Sequence, residues 1–291
     1  MKSNKRSGYL LLLPSVLLMG TFILFTVIKT ITQSFYNIKI QTLQQGSEFI
    51  GLQNYINLFT DKYFMSSLRW TLEFTIYSVA IQTIVATGLA MLMKKKFRGQ
   101  GIIRAIILLP WVIPAVIAGM MWTNMFGHYG LFNTLLLQSG LLSEPINFLG
   151  QTLTAKGAII IVDIWKSTPY MSLLILAGLM GIPDEYYEAA KVDGASKIKQ
   201  FFHITLPLLK SSLSITIMFR LISAMRSYGL VVSMTGGGPG STTETAAMYA
   251  VNTFFRFGKT SYGSAIAVVM MIISLLLSLI FLKELMRKVD V

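Results

Sequence analysis

Cysteine is absent from this 291-residue chain, which excludes disulfides, thiolate metal sites and thiol catalysis together. Histidine is nearly absent: the two, His128 and His203, have no partner at metal-ligand spacing, so no metal site is expected. Charge is scarce, at 13% Asp, Glu, Lys and Arg against about 25% in a soluble domain. Acid is scarcer than base, with 12 Asp and Glu against 25 Lys and Arg and a formal net charge of +13. No internal repeat, heptad pattern or low-complexity tract is visible. No nucleophile or acid/base constellation is visible either, so no catalytic residue is expected and the chain is not read as an enzyme.

What the chain has instead is apolar length. Hydrophobic residues make up 54% and the mean hydropathy is +0.63, so most of the surface faces something other than water. Six runs are long enough, at 1.5 Å per residue, to cross a core about 30 Å thick. They lie at roughly Leu10–Thr32, Thr71–Met93, Ile102–Phe126, Gly157–Met180, Leu208–Val232 and Tyr262–Leu282. The first follows Lys2, Lys5 and Arg6 like a leader peptide, but its apolar run is too long and no small-x-small site follows. It is read as a span. The expected fold is therefore all-α and integral to the membrane, with six transmembrane helices.

Basic residues orient it. Fifteen Lys and Arg flank one side, at both termini, in Lys94–Arg104 and in Lys191–Lys210. Six flank the other: Lys39, Lys62, Arg69, Lys156, Arg256 and Lys259. The richer side is cytoplasmic by the positive-inside rule, so both termini are inside a cell membrane crossed several times. The basic excess answers lipid headgroups, and no nucleic acid is implied. Residues 1–67 read as an anchor helix and an outer connecting segment, 68–283 as a body of five packed spans, and 284–291 as a cytoplasmic tail.

The cytoplasmic loop 183–207 is the most informative stretch. Pro183, with Asp184 and Glu185 behind it, suits a helix start. Gly194 suits its left-handed end, and Ser196 can cap a second short helix. Pro207 is expected to turn that helix before the fifth span. Ala189 and Ala190 present a small-residue face whose register Glu188, Lys191 and Asp193 can fix. An ordinary interfacial amphipathic segment would also fit these features. The spacing, however, resembles the EAA loop of type I ABC-importer permeases: Glu188-Ala189-Ala190, three residues, Gly194, nine residues, Ile204, one residue, Leu206-Pro207. In that family the loop is a coupling helix that docks on the ATPase. The resemblance gives Glu188, Ala189, Ala190, Asp193, Gly194, Ile204, Leu206 and Pro207 that role.

Two further stretches are similar to the carbohydrate branch of the family, the maltose and glycerol-phosphate type. One is Leu109–Trp122 (LPWVIPAVIAGMMW). The other is Met234–Ala246 (MTGGGPGSTTETA), an outer-loop motif carried by Thr235, Gly237, Gly238, Pro239, Thr243 and Glu244. Gly238 is an extra glycine before Pro239 and leaves the register of Thr235 open. The glycines do not make a phosphate loop, because no Lys-Ser/Thr follows them. ATP and magnesium are therefore expected on a partner, with no cofactor in this chain. The resemblance implies a type I ABC-importer transmembrane fold moving a sugar or sugar-like solute. It implies a second permease, two ATPase subunits and an extracytoplasmic solute-binding protein as partners. The alternative is a secondary transporter or channel that works alone.

Charges inside spans are costly unless paired or hydrated. Asp163, Lys166 and Tyr170 share one face of the fourth span. That face fits either a polar solute path or an Asp163–Lys166 pair turned toward neighbouring helices. Arg220 and Arg226 cannot share a stripe. Arg226, with Ser227 and Tyr228, fits a sugar-binding cluster or a side chain reaching for outer headgroups. Lys29 is read as snorkelling, the 17 Met as packing, and Trp111, Trp122 and Tyr262 as interfacial or packing rings. Pro110 and Pro114 are expected to kink the third span.

Overall fold

The computed structural model describes residues 12–39, 47–95 and 97–286. Readings that rest on Lys2, Lys5, Arg6, Lys96, Arg287 and Lys288 lie outside the described residues. Helix dominates, as apolar segments in a bilayer require: with no water to serve backbone groups, each segment must satisfy its own. Among the described residues five helices are long and apolar enough to cross a membrane, or six if one bent pair counts as a single span.

The chain divides into two compact units. One joins the segment up to Met65 with Tyr249–Ile272. Its first helix, α1 (Leu12–Gln33), has a mean hydropathy of 2.0 and no buried residue in its apolar window, which suits contact with lipid. A short hairpin follows, β1 (Tyr36–Asn37) pairing antiparallel with β2 (Glu48–Phe49), Tyr36 opposite Phe49. Helix α2 (Gln53–Thr60) ends at Asp61, which starts α3 (Lys62–Lys94). Asp61 Oδ1 accepts the Tyr63 and Phe64 amides at 2.9 and 3.3 Å, satisfying donors that a helix start leaves orphaned. Its Oδ2 accepts the hydroxyls of Tyr249 and Tyr262 at 2.7 and 2.8 Å. Ser261 and Ile38 also exchange bonds, at 3.0 and 3.3 Å. These contacts are why a late segment groups with the N-terminal one; sequence order alone gave no sign of it.

The second unit, from Ser66 to Met248 and from Ile273 onward, carries the remaining elements. They are α4 (Gln100–Val112), α5 (Ala115–Met125), α6 (Leu131–Gln138), α7 (Thr152–Met180), α8 (Glu185–Val192), α9 (Lys197–Met225) and α10 (Gly229–Thr235). After α10 come α11 (Ala246–Val251) and α12 (Thr260–Met286), each of which has residues in both units.

The third apolar run is not straight: α4 and α5 meet at 94°. Proline disfavours helical geometry in the residue before it. Ile113, which precedes Pro114, is extended at φ −67°, ψ 128°. Pro110 stays inside α4, so of the two expected kink sites it is Pro114 that breaks the span.

The fifth run starts earlier and ends earlier than its hydropathy suggests. Pro207 makes no corner. A π-turn at Phe201–Thr205 lets the Leu206 amide bond five residues back, to the Phe201 carbonyl. The widened turn accommodates a ring that would otherwise crowd the carbonyl four residues before it. The helix stops at Met225, and Leu230–Met234 belongs to a separate short helix.

Two apolar clusters hold this unit. Trp70, Phe74, Val79, Val162, Ala224 and Val231 belong to one. Ala86, Met93, Met171, Ile175, Leu209 and Leu213 belong to the other. Helices α7 and α9 approach closely at Gly178, where an added Cβ would lie 2.5 Å from Ser212 Cβ. Small residues at such crossings are the usual means of helix association in lipid.

Candidate functional site

Three arrangements in the second unit bear on function. The first is α8. Its start carries Glu185 and Glu188, its last turn Lys191, signs that suit the helix dipole. Gly194 follows at φ +72° with open space around its Cα, and the Ala195 amide closes the turn on the Ala190 carbonyl at 2.8 Å. Here a left-handed glycine ends the helix and spares orphaned carbonyls. Ser196 Oγ then accepts the Lys199 amide at 3.3 Å, capping α9. Along α8 the side chains of Glu188, Ala189 and Lys191 are exposed, Ala190 is half-buried and Val192 is 88% exposed.

One side chain anchors that helix. The Tyr187 hydroxyl lies 3.1 Å from Thr205 Oγ1 in the π-turn. The Lys94 ammonium sits 4.8 Å over the Tyr187 ring and 3.6 Å from the Asp184 carboxylate. A cavity of about 520 Å³ opens there, with Glu188, Lys191 and Phe201 on its walls. Tyr187, Thr205 and Lys94 were missed in the sequence. A ring bracketed by the EAA residues, one turn from Asp184, was the available signal. Asp193 closes the helix end, Ile204 is half-buried in the π-turn, and Leu206 and Pro207 are exposed beyond it.

The second arrangement is a polar layer inside the spans. Arg220 on α9 pairs with the Asp163 carboxylate on α7. It also donates Nε–H to Gln82 Oε1 on α3 at 2.5 Å. Gln82 in turn donates to Asp163, at 3.0 Å to both its carbonyl and its carboxylate. The three are 6%, 5% and 0% exposed. On each helix they fall between residues of the two apolar clusters, so three spans are cross-linked at one level. Asp163 therefore has Arg220, 57 positions away, as its partner. Lys166 points elsewhere: its ammonium donates to the carbonyls of Ile113 and Trp111 at 2.6 and 3.4 Å. Those are carbonyls at the α4–α5 break, where a cation suits the negative end of a helix. Tyr170, one turn on, stacks on Trp111 at 5.2 Å. Arg226 lies past the end of α9, exposed, with Ser227 and Tyr228 in the break before α10. The structure does not bring these three to the Asp163 cluster. Gln82 was missed because it is uncharged, although an amide within an apolar run was visible.

The third is the glycine-rich loop. Gly236 and Gly237 are left-handed at φ +58° and +89°, and the Gly238–Pro239 bond is cis. Thr235 and Thr243 hydroxyls meet at 2.8 Å, and Thr243 donates to the Gly238 carbonyl at 2.6 Å. Glu244 is buried beside them, and an added Cβ at Gly237 would lie 3.2 Å from Glu244 Cβ. The Trp70 indole donates to the Thr243 carbonyl at 2.9 Å, and Lys156 sits 4.6 Å over that indole while pairing with Glu73 at 3.2 Å. The loop is thus a folded unit fastened to α3 and α7. Among the described residues no group of three or more His, Asp or Glu gathers as a metal site would require.

Residues 82–290 match the family described as binding-protein-dependent transport system inner membrane component. The trehalose/maltose transport system permease protein MalF of Thermococcus litoralis is 38% identical over 95% of this chain and 92% of its own length. The sulfoquinovosyl glycerol transport system permease protein SmoG of Agrobacterium fabrum is 38% identical over 96% of this chain and 90% of its own. The fold is that of a chain in the crystal structure of a bacterial ABC transporter involved in the import of the acidic polysaccharide alginate. The TM-score is 0.84 at 22% identity, covering 99% of this chain and 98% of that one.

Proposed function

Because the chain belongs to the family of binding-protein-dependent transport system inner membrane components, we propose that it is the permease subunit of an ATP-driven importer for a sugar or sugar-like solute. The observation that carries this reading is α8, a short helix exposed along Glu188, Ala189 and Lys191 and held to the spans through Tyr187. A rigid lever with an open face is what a separate motor needs in order to push. Relatives named for trehalose, maltose and sulfoquinovosyl glycerol support the solute class.

In this reading the bent pair counts as one span, six spans cross the membrane, and both termini and α8 face the cytoplasm. Residues 1–67 anchor and connect, 68–283 form the transport body, and 284–291 make a cytoplasmic tail. Two ATPase subunits bind ATP and magnesium and receive α8 in a cleft, with Glu188, Asp193 and Lys191 fixing its register. The π-turn behind it, with Ile204, Leu206 and Pro207, passes the movement into α9. A second permease completes the pathway, and an outer solute-binding protein delivers the cargo near the loop of Thr235, Gly237, Gly238, Pro239, Thr243 and Glu244. Lys166 and Tyr170 at the α4–α5 break, with Arg226, Ser227 and Tyr228, border the path, and Asp163 supports it from within. This chain itself catalyses no reaction.

Purification of the tagged chain from its native membrane in mild detergent tests the reading. An ATPase and a second permease should copurify in stoichiometric amounts. Recovery of the chain alone, still able to move solute in vesicles without an ATPase, would establish a self-contained transporter instead.

A further inference from the structure

The first unit holds a cavity that none of the transport machinery described above uses. Its volume is about 480 Å³, and Gln53, Asn54, Asn57, Asp61, Tyr249 and Tyr262 are among its walls. That is within the usual range of small-molecule sites, and every wall residue belongs to the same compact unit. The hydrogen bonds already made inside it restrict what can enter. Both Asp61 oxygens are engaged, by two backbone amides and two tyrosine hydroxyls. Burial alone would raise its pKa, but those bonds together outweigh it and hold the carboxylate below its usual range. A metal ion could reach this carboxylate only by displacing them.

What remains is a mixture of hydrogen-bond donors and acceptors. Tyr262 has committed its proton to Asp61, so its oxygen can only accept. Gln53 donates to Asn57 Oδ1 at 2.9 Å; among the described residues no other side-chain bond engages the Gln53 carbonyl oxygen or the Asn57 amide protons. Asn54 spends both amide protons on the Ser34 and Tyr36 carbonyls, leaving its own oxygen to accept. Lys39 and Lys259 add donors, and Ile50 and Phe257 add apolar surface. Interleaved donors and acceptors beside apolar patches match a molecule whose hydroxyls both give and take protons and whose C–H faces pack.

We propose that this cavity is a second solute site, which takes a sugar-sized polyhydroxyl ligand through Gln53, Asn57 and Tyr262. The proposal rests on the importer reading, whose orientation puts these residues on the outer face, where an incoming sugar would meet them.

The test uses the full-length chain in lipid nanodiscs, with trehalose and maltose as probes and saturation-transfer NMR as the readout. At least one sugar should bind the unaltered chain at millimolar concentration. The double substitution Gln53→Leu/Asn57→Leu should weaken that binding at least tenfold. Both positions are exposed, and an unchanged melting temperature would show that the fold is kept. No binding by the unaltered chain, or equal binding by the double variant, overturns the second site. Uptake by the complete transporter, measured in parallel, separates the two ideas. Sugar uptake without cavity binding removes only the second site, whereas absence of ATP-dependent uptake of any sugar removes the importer reading.

Discussion

A guanidinium placed between apolar layers persists only where its charge and its protons are met, and Arg220 has Asp163 and Gln82 for both. Removing one partner of a buried ion pair leaves the other uncompensated, at about 3–5 kcal/mol. Asp163→Ala should therefore lower the thermal midpoint of the purified chain sharply. Asp163→Ala/Arg220→Leu should recover part of the loss, because the uncompensated charge is gone while the buried Gln82 Oε1 still lacks its Arg220 donor. A double variant as unstable as the single one would contradict this account of the layer. Sequence made Asp163 and Arg220 conspicuous, since each is ionisable within an apolar run. Their pairing was not legible, because it spans 57 positions and depends on which faces of α7 and α9 meet. The i, i+3 spacing to Lys166 suggested a nearer partner. That amine instead meets a demand that sequence does not display, the carbonyls exposed by the α4–α5 break.

Short elements with strong end signals were the most legible. Helix α8 runs from Glu185 to Val192, where Pro183 and Gly194 place it, because starts and stops are decided by local backbone chemistry. Spans were legible as apolar runs but not in their ends. Periodicity does not distinguish lipid-facing residues from buried ones, so Leu230–Val232 reads as the end of the fifth span, whereas it lies in the separate helix α10. The passage through Pro207 depended on a π-turn with no signal of its own. The lever reading of α8 predicts the effect of Gly194→Val. A β-branched residue at φ +72° costs roughly 1–2 kcal/mol, too little to unfold a membrane bundle and enough to re-aim a two-turn helix. Membrane levels should stay near normal while ATPase association weakens and uptake is lost. Gly140 is the matched control, with the same φ of +72° and open space at its Cα but a place outside α8 and its anchor. Gly140→Val should keep both activities, and equal loss in the two variants would mean general strain, not a displaced lever.

At the scale of the whole molecule, the apolar helices and membership in a binding-protein-dependent transport family support the proposed importer, in which α8 faces the cytoplasm. In the proposed reading, solute enters from the side that carries the glycine-rich loop, and ATP is spent on the side that carries α8. Sidedness is therefore the most direct test. The complete transporter is reconstituted in proteoliposomes with ATP and magnesium trapped inside, and labelled sugar with its binding protein is supplied outside. Accumulation above the external concentration, dependent on internal ATP and external binding protein and abolished by Gly194→Val, is the predicted result. Accumulation that proceeds without ATP on an imposed ion gradient, or that survives Gly194→Val unchanged, would contradict it.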